Sequence, residues 1–160
     1  MTELRVGLGF DAHRLVEGAN LVLGGIELES QRGLAGHSDG DVIAHALIDA
    51  LLGAASLGDI GSLFPSDDPQ LEGASSLGLL GRAYDDVRRA GFELVNADCV
   101  LIGEEPRIAP FRSRMETELA RALGVDTARV SVRATTTDGL GFTGRGEGLA
   151  AQAVALLRRL

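Results

Sequence analysis

Two short segments, Gly9-Phe10-Asp11-Ala12-His13 and His37-Ser38-Asp39-Gly40-Asp41-Val42-Ile43-Ala44-His45, hold all three histidines of the chain. They constrain the fold because they carry different periodicities. Asp11 and His13 are two residues apart, so on an extended strand they point to the same side. His45 lies in an apolar, alanine-rich run that reads as a helix. A fold that sets that strand end against that helical face brings two imidazoles and a carboxylate together. Two histidines, one carboxylate and one open position form the ligand pattern of a catalytic zinc site, whereas structural zinc sites are usually closed by thiolates. The competing reading makes these ordinary polar surface residues. Their concentration in two Asp-rich segments beside glycine turns favours the metal.

The strand and helix need one core, and 160 residues suit one domain, 1–160. Aromatics are 4% and Trp is absent, so the core is built mainly from Leu, Val, Ile and Ala. The N-terminal residues show no secretory signal, and no apolar run reaches membrane-spanning length. The lone Cys99 has no partner for an intrachain disulfide and sits among Val100, Leu101 and Ile102. It reads as a core residue in a reducing, cytoplasmic setting. A net charge of −8 without basic–aromatic runs argues against nucleic-acid binding. A small phosphate ligand stays open, since bound divalent cations reverse the local field.

Along the chain, Arg5 to Phe10 reads as a strand entering an Asp11/His13 turn. Asn20 to Leu28 reads as two short strands around a glycine bend, and Gly33 to Gly40 as a loop. Asp39 or Asp41 caps a helix from about Asp41 to Leu57, ended by Gly58-Asp59-Ile60-Gly61. Phe64 to Pro69 is irregular. A second helix spans about Ser75 to Ala90, closed by Gly91. Phe92 to Ile102 alternates as a strand, Pro110 to Leu123 reads as a helix, and Arg129 to Thr137 as a half-buried strand. Gly139 to Gly148 is a glycine-rich turn, and Leu149 to Leu160 reads as a closing helix. The expected class is one layered α/β or α+β domain, a mixed β-sheet packed by helices.

Other groups carry weaker signals. Asp49 is four residues beyond His45, on the same helical face, where it is either a carboxylate partner for a metal-bound imidazole or a solvated side chain. His37, just before the helix, suits an anion better than a metal. Asp39 and Asp41 suit capping and turns. Gly144-Arg145-Gly146-Glu147-Gly148-Leu149-Ala150 contains a G-x-G-x-x-A match, but no second strand or acidic residue follows at the spacing a dinucleotide fold needs. Ala134-Thr135-Thr136-Thr137-Asp138 ends a strand with three hydroxyls and a carboxylate, a combination suited to a hard cation with phosphate.

With these residues laid out, the chain resembles the 2-C-methyl-D-erythritol 2,4-cyclodiphosphate synthase family from end to end. The resemblance rests on Gly9-Phe10-Asp11-Ala12-His13, His37-Ser38-Asp39-Gly40-Asp41, His45-Ala46-Leu47, Leu57-Gly58-Asp59-Ile60-Gly61, Phe64-Pro65, Ala134-Thr135-Thr136-Thr137 and Leu140-Gly141-Phe142-Thr143-Gly144-Arg145-Gly146-Glu147-Gly148. It implies a cytoplasmic homotrimer with active sites between neighbouring subunits. It implies one Zn2+ per subunit on Asp11, His13 and His45, with His37 and Ser38 contacting phosphate and steadying the transition state, and His37 and Thr136 as catalytic residues. Asp59 and Gly61 would hold the erythritol part. The segment Gly103 to Ala109 would surround cytosine, largely through backbone groups, with Pro106 shaping the loop, and Phe64 and Arg107 would also contact substrate. Thr135 and Thr136 would bind diphosphate, and Asp138 would hold Mg2+ or Mn2+ with the substrate. Phe10, Phe142, Arg145 and Glu147 would face the trimer axis, where family members can hold an isoprenoid diphosphate.

Two positions depart from the family pattern. Asp138 stands where Glu is common, and a side chain one methylene shorter implies a weaker or water-bridged ion. Ser66 stands where Phe-Pro-Asp is usual, leaving Asp67 or Asp68 to replace a ribose contact. The implied reaction is intramolecular: a 2-phosphate attacks the β-phosphorus of a cytidine diphosphate substrate and CMP leaves. Two alternatives remain at this level, a zinc phosphohydrolase and a non-catalytic metal-bound trimer that binds isoprenoid diphosphate.

Overall fold

The alternation that starts at Leu4 runs through Asp11 and His13 without a break, so the first strand is longer than the expected one and the two ligand candidates sit within it. The computed structural model describes residues 1–160. In chain order the elements are β1 (Leu4–Glu17), β2 (Leu21–Leu23), β3 (Ile26–Leu28), β4 (Arg32–Leu34), α1 (Val42–Ala54), α2 (Ile60–Leu63), α3 (Ser76–Arg89), β5 (Phe92–Ile102), α4 (Arg112–Leu123), β6 (Val130–Thr135), α5 (Gly141–Gly144) and β7 (Gly148–Arg159). Five strands form one sheet in the order β4-β1-β7-β5-β6, and β2 pairs with β3 as a separate hairpin. The β5–β6 pair is parallel; the other pairs are antiparallel. The expected mixed sheet with helices is therefore present.

β7 corrects the sequence reading. Residues 149–160 were expected to close the fold as a helix, and Ala, Leu and Arg do favour one. Instead this segment lies between β1 and β5, in register from Leu4↔Arg158 to Arg14↔Gly148 on one side. Leu149, Ala151, Ala153, Ala155 and Leu157 are buried, while Gln152, Val154 and Arg158 are exposed. Burial thus alternates with period two. The composition does not, because Val154 and Leu156 make the other face apolar as well. Tertiary pairing overrides a local preference worth tenths of a kcal/mol per residue.

The inner faces of β1 and β7 are small, and that places α1. A Cβ on Gly7 would lie 1.9 Å from the Ala50 carbonyl oxygen, and one on Gly9 would lie 1.8 Å from that of Ala46. The helix therefore rests directly on strand backbone. Val42, Ile43, Leu47, Ile48, Leu51 and Leu52 on α1 are buried, at about 1.5–3 kcal/mol for each large side chain. The core is Leu, Val, Ile and Ala with few aromatics, as composition required. Cys99 belongs to it: burial pushes its thiol up to about 12, which makes it inert as a nucleophile.

Asp41 is the N-cap of α1, accepting from Ala44 N at 3.2 Å. It also accepts from Gly24 N at 2.9 Å and Gly25 N at 2.7 Å, which ties the β2–β3 turn to the helix start. Both glycines have positive φ, 57° and 77°, a conformation that Gly adopts without steric cost. The helices cover one face of the sheet. On the other face Leu4, Val6, Leu8, Phe10 and Val154 are exposed, joined by Leu140 and Phe142 near α5. No helix is long and apolar enough to cross a membrane.

Candidate active site

Asp11 and His13 project from the inner face of β1 just beyond the glycines, and His45 projects from the first turn of α1. The close approach at Gly9 brings these donors into one triangle. His13 Nε2 lies 2.8 Å from Asp11 Oδ2 and 3.2 Å from His45 Nδ1, and His45 Nδ1 lies 3.0 Å from the same Asp11 oxygen. Three electron-pair donors this close repel unless a proton or cation lies among them. A tetrahedral zinc ion with ligand bonds of about 2.0–2.2 Å separates its donors by little more than these distances. The donor set fits a divalent metal ion.

The charge balance agrees. Burial would raise the Asp11 carboxyl, but hydrogen bonds from His13 and His45 outweigh it and hold it at about 2. The Asp11 hydrogen bond raises His13 above its ordinary value, against the opposing effect of burial. Asp11 is thus an anion across the physiological range, as a metal ligand must be.

The triangle opens into a cleft of about 490 Å³ lined by His37, Ser38, Gly61, Phe64 and Asp67 among others. His37 Nε2 bonds the Asp68 carbonyl at 2.7 Å, which fixes that imidazole against the 65–71 segment. Ser38 Oγ stands 3.0 Å from His45 Nε2. Phe64 is buried, with the Arg82 guanidinium 4.9 Å from its ring centre.

Other expected residues take different places. Asp59 is the N-cap of α2 in a reciprocal pair with Ser62, and the Ser62 hydroxyl and amide hold its carboxyl below the usual value. The Asp68 carboxylate caps Gln70 N at 2.9 Å, so Asp67, not Asp68, lines the cleft. Asp49 does not reach an imidazole. It accepts from Ile60 N at 2.7 Å and anchors the start of α2.

Thr135, Thr136 and Asp138 lie outside this cleft, as do Gly103, Pro106, Arg107 and Ala109. These two groups adjoin each other: Gly103 N donates to the Thr135 carbonyl at 3.0 Å. Glu104 Oε1 accepts from Thr137 N at 3.3 Å and Gly139 N at 3.4 Å. Asp138 takes a left-handed φ of 53°, and its carboxylate accepts from Thr136 Oγ1 at 3.1 Å. The Glu105–Pro106 peptide bond is cis. Phe142 is exposed, and Arg145 pairs with Glu147 at 3.0 Å.

Sequence reasoning missed Ser76, the first residue of α3. Its hydroxyl is 2.8 Å from His45 Nε2. A serine at a helix start signals capping, and nothing local marks it as a neighbour of His45.

A layered α+β fold with an aspartate–histidine–histidine triad lining a cleft is the frame of an enzyme whose donor set is compatible with a divalent metal ion. Comparison makes the class specific. Residues 4–158 match the YgbB family. A 2-C-methyl-D-erythritol 2,4-cyclodiphosphate synthase from Moorella thermoacetica is 56% identical over 154 residues, covering 96% of this chain and 94% of the relative. The bifunctional IspDF structure from Campylobacter jejuni superposes with a TM-score of 0.96 at 44% identity; it covers all of this chain, which spans 43% of that longer protein. A 2C-methyl-D-erythritol-2,4-cyclodiphosphate synthase solved in a CDP-bound form has a TM-score of 0.87 at 40% identity, covering 96% of this chain and 99% of its own. The chain belongs to the YgbB family of 2-C-methyl-D-erythritol 2,4-cyclodiphosphate synthases.

Proposed function

We propose that residues 1–160 form one cyclodiphosphate synthase domain of the non-mevalonate isoprenoid pathway. It converts 4-diphosphocytidyl-2-C-methyl-D-erythritol 2-phosphate to 2-C-methyl-D-erythritol 2,4-cyclodiphosphate with release of CMP. The observation that carries this reading is the triad of Asp11, His13 and His45, assembled at the floor of the cleft in a chain related to these synthases along almost its whole length.

The substrate's 2-phosphate oxygen forms a bond to the β-phosphorus, and the bond from that phosphorus to the bridging oxygen of CMP breaks. The nucleophile is already an anion, so no serine or cysteine nucleophile is needed. The obstacle is repulsion between phosphates. When bound, Zn2+ at the triad and Mg2+ or Mn2+ at Asp138 supply charge neutralisation and alignment. Ser38 offers a hydroxyl donor to phosphate beside the triad, and His37, whose Nε2–H is donated to the Asp68 carbonyl, donates to phosphate through Nδ1 only as the imidazolium. Gly61 and the nearby Asp59 hold the erythritol part, with Phe64 and Asp67 bordering the same cleft. Gly103 to Ala109 receive the cytosine; that the substrate carries a cytidine diphosphate group is supported by a relative solved in a CDP-bound form. Thr135 and Thr136 orient the diphosphate. Holding both ends of one substrate supplies the orientation that an intramolecular attack requires.

Two features support a homotrimer with shared sites. Thr135 is level with Ala12 across β7 and β5, so three inter-strand spacings, about 14 Å, separate it from β1. The phosphates of a diphosphate share one bridging oxygen, so both groups serve one substrate when a neighbouring subunit brings its threonines to this triad. The bare apolar face of β1 and β7 is a surface of the kind subunits bury. Phe10, Phe142, Arg145 and Glu147 then lie toward the axis, where an isoprenoid diphosphate fits. The setting is the cytoplasm.

Incubating the protein with the cytidyl substrate, with and without zinc and magnesium, tests the reading. Metal-dependent CMP release without incorporation of solvent oxygen is expected. Solvent oxygen in the product would make the protein a hydrolase, and metal binding without CMP release would make it a binding protein.

A further inference from the structure

We propose that Asp39 and Ser76 form a relay that orients His45 and commits its Nε2 to carrying hydrogen, leaving the Nδ1 lone pair for the metal. The proposal rests on reading the triad as a metal centre. It concerns two residues that touch neither metal nor substrate and act through the imidazole.

The hydrogen bonds determine the direction of the relay. Ser76 is fully buried. Its hydroxyl donates to Asp39 Oδ1, and its backbone N–H donates to Asp39 Oδ2 at 3.0 Å. A serine hydroxyl has one hydrogen. Once that hydrogen is on the carboxylate, Ser76 Oγ can only accept from His45 Nε2, 2.8 Å away. Ser38 Oγ, 3.0 Å from the same nitrogen, is a second acceptor. His45 Nε2 therefore donates, and Nδ1 faces Asp11 and His13. Metal-bound histidines commonly have a partner on the second ring nitrogen that fixes tautomer and orientation. Here the partner is a hydroxyl backed by a carboxylate.

Asp39 belongs to the loop before α1, and Ser76 opens α3. The relay thus couples the imidazole to two further segments of the fold. With the Ser76 hydrogen on Asp39, the Ser38 hydroxyl hydrogen has Ser76 Oγ, 3.3 Å away, as one acceptor and a phosphate in the cleft as the other.

Ser76→Ala deletes the hydroxyl link but keeps the backbone N–H that Asp39 caps. Asp39→Ala frees the Ser76 hydrogen to turn onto His45 Nε2, in competition with the N–H already there. Zinc affinity of purified protein, measured by chelator competition, should fall about 10–100-fold in each, the usual range for a lost partner of a metal-bound histidine. In the double variant Asp39→Ala should add less than about threefold to Ser76→Ala, because Asp39 acts through the serine. In zinc-loaded protein the His45 Nε2 proton should give a downfield, slowly exchanging resonance that moves upfield in Ser76→Ala.

A parent-like zinc affinity in folded Ser76→Ala, or additive losses in the double variant, would overturn the relay while leaving the metal centre intact. A parent protein that takes up no zinc at all would overturn the metal centre and the relay with it. Should Asp39→Ala not fold, the Ser76→Ala affinity and resonance decide the matter, since that variant retains the cap.

Discussion

The Asp11–His13–His45 triad and the Thr135–Asp138 turn stand level on the same sheet, yet they are built to different degrees of completeness. Each triad side chain is at most about a quarter exposed, and its donors already face one another. Thr136 and Asp138 are turned toward solvent and bond mainly to each other. One region is preorganised by a single chain, and the other is ready to be completed by a ligand, an ion or a second subunit. Preorganised groups lose little freedom when charge must be stabilised, which is where electrostatic catalysis draws its strength. A cation held in the open region would need other groups besides Asp138 to complete its coordination.

The largest effect that sharpens this contrast is expected from His45→Ala. Bound zinc should be lost and CMP release should fall by about 10²–10³-fold or more, the scale of removing a main electrostatic stabiliser. Metal analysis alongside turnover checks it. Full zinc content with normal rate would remove His45 from the site.

Asp138 should behave differently. Asp138→Ala is expected to lower turnover by about 10–100-fold through the second cation while zinc content stays unchanged. Asp138→Glu should retain activity and reach half-maximal rate at lower magnesium, because the longer side chain reaches the ion directly. An unchanged magnesium dependence in Asp138→Ala would make this carboxylate a turn residue and break the division between the regions.

The smallest effect concerns the anchoring of the triad. Burial pushes the Asp41 carboxyl up to about 6, against three backbone N–H groups that favour its anion. The folded protein then keeps this proton to higher pH than the unfolded chain does. The resulting stabilisation is full below about pH 4, declines through about pH 6 and is absent above it, with a ceiling of about 3 kcal/mol. Melting temperatures between pH 4 and 8 should show this decline in the parent and lose it in Asp41→Asn. The same slope in both proteins would assign the decline to other groups.

The triad was legible because two residues on a strand and one on a helix leave a spacing that sequence records. A capping aspartate before α1 was legible for a similarly local reason, though the sequence left Asp39 and Asp41 as alternatives and the structure has Asp41 as the cap. The remainder depends on contacts between distant segments. Nothing near Ser76 announces that it meets His45 and Asp39. Asp49 has the right helical spacing for a metal partner, but α2 folds back and takes its carboxylate. The inner-face glycines Gly7 and Gly9 read as weak strand formers until the helix above them is seen. The strand at 148–159 was concealed because Ala150, Val154 and Leu156 interrupt the polar positions of its outer face, which blurs the alternation that identifies a half-buried strand.

That strand also governs how the chain can be assembled in time. β7 is the latest strand in sequence and lies in the middle of the sheet, with β1 on one side and β5 on the other. A ribosome must deliver residues near Arg158 before Leu4 finds its partner. Until then β1 and the β5–β6 pair lack the strand that joins them, with their edges open to other chains. Such distant pairings raise contact order and slow folding. The same arrangement makes the finished sheet hard to open from one end, because removing either β1 or β7 separates a ladder that spans most of the strand length.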